Sequence, residues 1–437
     1  MMFIWHHFVL MEFWNRKREL LQIKKQIGKR SLGYVTGRRR VGKTALLVKA
    51  CEELGGFYHQ AVEGTAQQQL LHLAEEIGQA LPLFREIVPK SWGEFFALLS
   101  REALPSLIVF DEFPYWVQGD STLPSLLQKW VDHELPKKKS SLFVSGSSQS
   151  MLFSHFLRQN VPLYGRAQIH LSLEPMSYEW FCRVMKYPVD DPDSFLRFSL
   201  VGGIPHYWKL MPSGDVIEQA DLLYFAPGAL LSEEPVQMLR DEGVTGSISK
   251  AILDLVGRGV SKPSELASRL GIPHGNLSRP LALLLELSFL KREFPFGESA
   301  RTTKKILYRV EDPVLSFYYG TFLPFRAQWP GMNKEEKRTL LKQHACRQWE
   351  IFCRRCLPGS GRYWEKEVEI DLVTRQGQEG YLIAECKWAN LDKKEESRLV
   401  ENLKRKFEQA ALSQKMKGKK VSFRIFSHRD LTSLAAM

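Results

Sequence analysis

No stretch of this chain approaches the roughly 20 consecutive apolar residues that a membrane-spanning helix needs, so the sequence reads as a soluble, cytoplasmic protein with no membrane partner. Residues 1–10 are apolar and aromatic. They lack the basic n-region and small-residue cleavage site of a secretory signal, and they are too short to span a bilayer. Cysteine is sparse, six in 437 residues, and scattered. Without a secretory signal that pattern points to a reducing compartment and not to a disulfide framework. The one metal-like grouping is His344, Cys346, Cys353 and Cys356. Cys353 and Cys356 lie three apart on an expected helix, which favours small buried helix residues over zinc ligands. Acidic residues are outnumbered, 49 against 61 basic, for a net charge of +12. The excess suits a polyanionic partner such as nucleic acid without requiring one.

What the chain does hold is enough apolar content, 44%, for two to four separately cored domains. Its most specific motif is Gly37, Arg38, Arg39, Arg40, Val41, Gly42, Lys43, Thr44. A glycine, four free positions and Gly-Lys-Thr make a phosphate-binding loop. Residues 31–36 before it read as a strand and residues 45–54 after it as a helix. The glycines let backbone N–H groups close around phosphate oxygens, and the helix directs its positive end at the same anion. Lys43 is expected to reach the β/γ-phosphates and the Thr44 hydroxyl to ligate Mg²⁺.

Leu107, Ile108, Val109 and Phe110 form a continuous apolar run ending in Asp111 and Glu112, the pattern of a central parallel strand that delivers acids to its C-terminal edge. Asp111 is expected to hold the Mg²⁺ and Glu112 to orient or deprotonate the attacking water. A second buried strand over 141–145 ends near Ser147 and Ser148. Either serine could sense the γ-phosphate or simply make a turn. Arg166 is a candidate for stabilising transition-state charge on that phosphate, with an ordinary surface arginine as the alternative. Residues 12–27 read as a basic helix leading into this domain. Alternating strands and helices up to about residue 174 give a parallel sheet covered on both faces.

Residues 175–244 read as helical, a lid expected beside the nucleotide site. Residues 245–312 read as a winged helix-turn-helix. Helices over 248–256, 262–271 and 277–287 are followed by wing strands over 289–296 and 304–310. For DNA, Asn276, Ser278 and Arg279 would meet a groove while Arg301, Lys304 and Lys305 meet phosphates. Pro280 at the start of the third helix, with Leu283 and Glu286 on its outward positions, argues instead for protein contacts. Both readings stay open at this point.

In residues 313–437 a helix carrying Glu350 precedes a strictly alternating strand, residues 368–373, that puts Glu369 and Asp371 on one face. The next strand, residues 381–388, puts Glu385 and Lys387 on one face. A helix over 395–412 and a strand over 420–426 complete an α-β-β-β-α-β order. Asp371 and Glu385 could hold Mg²⁺ or Mn²⁺, and Lys387 could assist the water that cleaves a phosphodiester. The alternative is a solvated acidic face with an ion-paired lysine.

With these pieces assembled, the chain resembles the archaeal-type P-loop ATPases of the AAA-related and signal-transduction group, in which a winged helix and a domain resembling PD-(D/E)XK nucleases follow the ATPase. The marks are the loop at 37–44, Val109 to Glu112, Leu163 to Arg166, Val201 to Pro205, Tyr308 to Pro313 and Ala384 to Trp388. The family's start is similar to residues 13–20, so residues 1–10 read as an extension or a misassigned start. The resemblance implies an α/β fold: a P-loop parallel sheet (1–174), a helical lid (175–244), a winged helix-turn-helix (245–312) and a restriction-endonuclease-like domain (313–437). It also implies ATP over GTP, consistent with the lack of a guanine-reading Asn-Lys-x-Asp segment. The expected function is a Mg²⁺-dependent ATPase coupled to duplex DNA binding and metal-dependent DNA cleavage. The alternative is an ATP-driven signalling switch whose other domains serve protein interaction. Self-association as a homo-oligomer is left open.

Overall fold

Short apolar strands alternate with helices in the first part of the chain. The computed structural model, which describes residues 13–146, 161–377 and 380–436, assembles those strands into one five-stranded sheet. Leu32–Gly37 (β1), Phe57–Gln60 (β2), Leu107–Asp111 (β3), Ser141–Ser145 (β4) and Ala167–Leu173 (β5) line up as β2-β3-β4-β1-β5. Every neighbouring pair is parallel. β3 and β4 are buried along their whole length, as central parallel strands covered on both faces must be. Trp92, Phe95, Phe110 and Trp116 fill the core on one side. Because β4 lies between β1 and β3, the C-terminal ends of these three strands meet at one edge of the sheet.

The entering helix is shorter than its charge pattern predicts, Lys17–Lys24. Asn15 and Arg16 take left-handed backbone angles, φ 57° and 63°, which a helix cannot include. Arg16 is instead drawn inward, donating to Val41 O at 3.1 Å and Glu174 O at 2.7 Å.

The chain divides into two compact units, Met1–Pro175 with Ile204–His206, and Met176–Gly203 with Tyr207–Met437. The stretch expected as a lid is helical, with Tyr178–Met185, Pro192–Val201, Val216–Ala220 and Leu230–Asp241, but it groups with the second unit. The reason is a shared aromatic core. Phe195 packs against Trp349 and Trp388, with centroids 5.3 and 4.7 Å away, and His344 Nε2 hydrogen-bonds Ser199 O at 2.8 Å.

Next come helices Ser247–Gly257, Pro263–Leu270 and Ser278–Glu286, then an antiparallel hairpin of Leu290–Glu293 (β6) and Leu307–Val310 (β7). Pro280 is the third residue of its helix, in the first turn, where an N–H would have no intrahelical partner anyway. It therefore does not break the helix. β6 is shorter than its apolar run suggests, because Pro295 cannot donate to a ladder.

The remainder has the expected order. Helix Lys334–Cys356 leads to Gly361–Glu365 (β8), Val368–Gln376 (β9) and Gly380–Cys386 (β10), then helix Lys393–Gln409 and Lys420–Phe426 (β11). The sheet runs β11-β10-β9-β8, with β10 and β11 parallel and the other pairs antiparallel. Capping boxes at Asn333 and Asp392 start the two long helices.

Candidate functional site

The phosphate loop connects β1 to helix Lys43–Leu54, which starts two residues earlier than its pattern predicts. Lys43 and Thr44 are thus in the first turn. Gly42 holds φ 102°, and a Cβ on Gly37 would sit 2.7 Å from Leu173 O, so neither position accepts a larger residue without strain. The helix has no side-chain cap and no acid in its first turn, which suits an anion at its positive end. Lys43 Nζ donates to Gly37 O at 2.8 Å and Arg38 O at 3.1 Å, placing the ammonium inside the curve of the loop. Arg38, Arg39 and Arg40 are half-buried along the loop and Val41 is fully buried.

Asp111, at the end of β3, is fully buried and surrounded by donors. Thr44 Oγ1 donates to its Oδ2 at 2.7 Å and Tyr58 OH to the same oxygen at 2.8 Å. Its Oδ1 accepts from Ser145 Oγ and from the Glu112 N–H at 2.9 Å. Burial raises the Tyr58 pKa and the Asp111 charge raises it further, so the phenol stays a donor. Glu112 follows with φ 54°, a left-handed angle uncommon outside glycine and frequent at functional sites. Arg166 is engaged by Asp132, Nε to Oδ2 at 3.0 Å, and donates to Pro162 O at 2.9 Å. Ser147 and Ser148 lie outside the described residues.

A second cluster forms on the C-terminal sheet. The β9–β10 register reaches Ala384↔Leu372, and one further step sets Glu385 level with Asp371, on one face. Lys387 Nζ lies 2.7 Å from Glu385 Oε2 and 4.0 Å from Asp371 Oδ2. Lys406 Nζ takes the other Glu385 oxygen at 2.6 Å. Burial pushes the Glu385 pKa up, but the hydrogen bonds from Lys387 and Lys406 outweigh it and hold the carboxyl below its ordinary range. Asp371 goes the other way, raised by burial and then by the Glu385 charge. Glu350 is pushed up to about 7 by burial and the nearby Asp371. Glu369 turns out to Arg362, 2.9 Å away, with about half of its side chain exposed. Among the described residues no group of three or more His, Cys, Asp or Glu could hold a metal ion. His344 and Cys353 are buried while Cys346 is exposed.

Residues 13–210 match the family described as the ATPase domain predominantly from Archaea. That part of the chain is similar to archaeal P-loop ATPase domains. The match supports ATP with a divalent metal as the ligand of the phosphate loop. Residues 335–399 match a second family, Archaea bacterial proteins of unknown function. The uncharacterized protein MJECL04 of Methanocaldococcus jannaschii is 26% identical over 414 residues, covering 90% of this chain and 91% of its own length. Among solved structures, the Walker-type ATPase paby2304 of Pyrococcus abyssi superposes with a TM-score of 0.53 at 19% identity, covering 70% of this chain and 96% of that one. The Aeropyrum pernix ORC2 protein gives 0.43 at 14% identity, covering 78% and 97%.

In the ATPase domain, sequence reasoning passed over Arg16, Tyr58 and Ser145. Ser145 is the last residue of an expected strand, and only the strand order reveals that it faces Asp111. Lys406 was also missed, since nothing in its helix pattern marks it as a partner of Glu385. Among the described residues no helix is long and apolar enough to cross a membrane.

Proposed function

We propose that this protein hydrolyses ATP with Mg²⁺, and that its second unit binds duplex DNA through a winged helix-turn-helix and cuts it at a restriction-endonuclease-like domain. The observation that carries the first part is the contact between Thr44 Oγ1 and Asp111 Oδ2, two hard oxygen donors side by side at the head of the phosphate loop. They would hold Mg²⁺, which when bound neutralises charge on the phosphate oxygens. Lys43 would turn from the loop carbonyls to the phosphates. Glu112 would orient the attacking water and take its proton, and Arg166 would leave Asp132 to reach the γ-phosphate. In the second unit Asp371 and Glu385 would hold Mg²⁺ or Mn²⁺, and Lys387 would orient water for phosphodiester cleavage.

One observation favours a different use of the second unit, as a protein-contact module of a signalling switch. Both Glu385 oxygens are occupied by ammonium groups, so a cation has to displace one of them.

Phosphate release and plasmid cleavage on the purified full chain, with Mg²⁺ or Mn²⁺ and with or without ATP, test both readings. Glu112→Gln should keep ATP bound while slowing turnover about 10²–10⁴-fold. Wild-type turnover in that variant would remove Glu112 from the reaction. Cleavage that is lost in Asp371→Ala supports the nuclease. ATP turnover with no cleavage under any metal selects the switch.

A further inference from the structure

The loop between β6 and β7 is pinned to the C-terminal sheet. Phe296 N–H donates to Arg362 O of β8 at 2.8 Å, and its ring meets Tyr381 of β10 edge-on, with centroids 6.4 Å apart at 88°. Arg375 of β9 is the register partner of Tyr381. Phe296, Tyr381 and Arg375, together with Leu412, Lys415 and Met416, line a cavity of about 450 Å³, within the size range of small-molecule sites.

The lining is chemically lopsided. It has an aromatic wall, an apolar floor from Leu412 and Met416, and two cations, with no acid among the described lining residues. Arg375 and Lys415 are exposed. Glu298 is hydrogen-bonded by Lys305 at 2.8 Å and by Thr303 at 2.5 Å, which hold its carboxyl low, with a smaller contribution from the Lys415 charge. Lys417, Lys419 and Lys420, all exposed, extend the positive charge beyond the cavity. The cavity is also separate from the Asp371 cluster. Arg375 is four residues along β9 from Asp371, about 13 Å at strand rise. Between them Val373 and Ile383 are buried in a core with Leu403 and Phe407.

We propose that this cavity binds one nucleotide, its base against Phe296 and Tyr381 and its phosphate between Arg375 and Lys415. A flat apolar ring joined to an anion is the ligand that uses both halves of the lining. The nucleotide can be free, or it can be an unpaired nucleotide of single-stranded DNA whose following phosphates meet Lys417 to Lys420. The proposal rests on the nucleic-acid reading of the second unit but uses none of the residues assigned to duplex binding or cleavage.

The test uses the full chain, with Lys43→Ala for the binding assays so that the phosphate loop does not hold the probes, and with Lys43 intact for turnover. Fluorescence anisotropy follows a short fluorescein-labelled oligothymidylate, with dTMP as competitor. Arg375→Gln with Lys415→Gln should weaken oligonucleotide binding about tenfold or more, and Tyr381→Leu several-fold, since base stacking on an aromatic ring contributes about 1–3 kcal/mol. ATP turnover and the thermal midpoint of the charge variant should not change. Displacement by dTMP at the oligonucleotide's own affinity identifies a free-nucleotide site. Displacement only at far higher concentration identifies single-stranded DNA. Equal binding of both probes with and without the charge substitutions overturns the proposal. Duplex binding and plasmid cleavage are measured on the same proteins. If they are absent while the oligonucleotide responds to the variants, the cavity stands and the nuclease reading falls.

Discussion

Tyr58 donates its hydroxyl to Asp111 Oδ2, the same oxygen that accepts from Thr44, at 2.8 and 2.7 Å respectively. The phenol is buried and anchors a carboxylate that has no exposure of its own. Tyr58→Phe removes one hydrogen bond to a charged group, a loss of about 1.5–3 kcal/mol. The expected outcome is a lower urea midpoint for the ATPase unit and a higher Mg²⁺ concentration for half-maximal turnover. An unchanged Mg²⁺ dependence would make Tyr58 a purely structural support.

Lys406 bears on the other cluster. Its ammonium lies 2.6 Å from Glu385 Oε1, on the side of the carboxylate that Lys387 leaves open. Lys406→Met should free that oxygen and tighten Mn²⁺ binding several-fold in calorimetry on the full chain. Asp371→Asn, which removes the neighbouring ligand charge, should abolish the same signal. Weaker Mn²⁺ binding in Lys406→Met would show that the lysine holds Glu385 in place for the cation and does not compete with it.

Much of this was legible in the sequence, for reasons that differ from element to element. The phosphate loop and the Asp111 strand end were readable because their chemistry is local: adjacent residues make the loop, and an apolar run fixes the strand. The α-β-β-β-α-β order was readable because alternation along β9 and β10 marks which residues share a face. What escaped depends on contacts between distant segments. Arg16 reaches Val41 and Glu174, Tyr58 and Ser145 reach Asp111 across neighbouring strands, and Lys406 reaches back 21 residues to Glu385. The grouping of residues 176–203 with the second unit was likewise hidden, because it comes from Phe195 meeting Trp349 and Trp388.

Glu350 gives the C-terminal domain a pH signature. Its ordinary pKa of 4.5 is raised to about 7, by burial first and then by the Asp371 charge, against the pull of Arg354 and Arg362. Between about pH 4.5 and 7 the folded chain keeps a proton that the unfolded chain has released. Stability from this group therefore falls as pH rises through that window and stays lower above it. Glu350→Gln carries no such proton. Relative to that variant, wild type should be most stable near pH 4.5 and should lose ground steadily up to pH 7, as read by urea midpoints across the range. A constant difference would place Glu350 in water.

The hairpin lysines do not all face DNA on equal terms. Lys305 is held by Glu298 at 2.8 Å, and its pKa is raised by that hydrogen bond, so its charge is already balanced. Asn276, Ser278 and Arg279 are exposed at the start of helix Ser278–Glu286, and Pro280 leaves that helix intact. If residues 245–312 bind duplex DNA, Arg279→Ala should reduce affinity and lower the slope of log affinity against log salt by about 0.9, the value of one phosphate contact. Lys305→Ala should change that slope far less, since moving Lys305 to a phosphate would strand Glu298. Arg301→Ala with Lys304→Ala should lower the slope by up to about 1.8, the value of two phosphate contacts, because both side chains are exposed. Salt titrations on the full chain decide the matter. An unchanged slope in Arg279→Ala would leave this segment as a connector or protein-contact surface, with its hairpin held against β8 through Phe296.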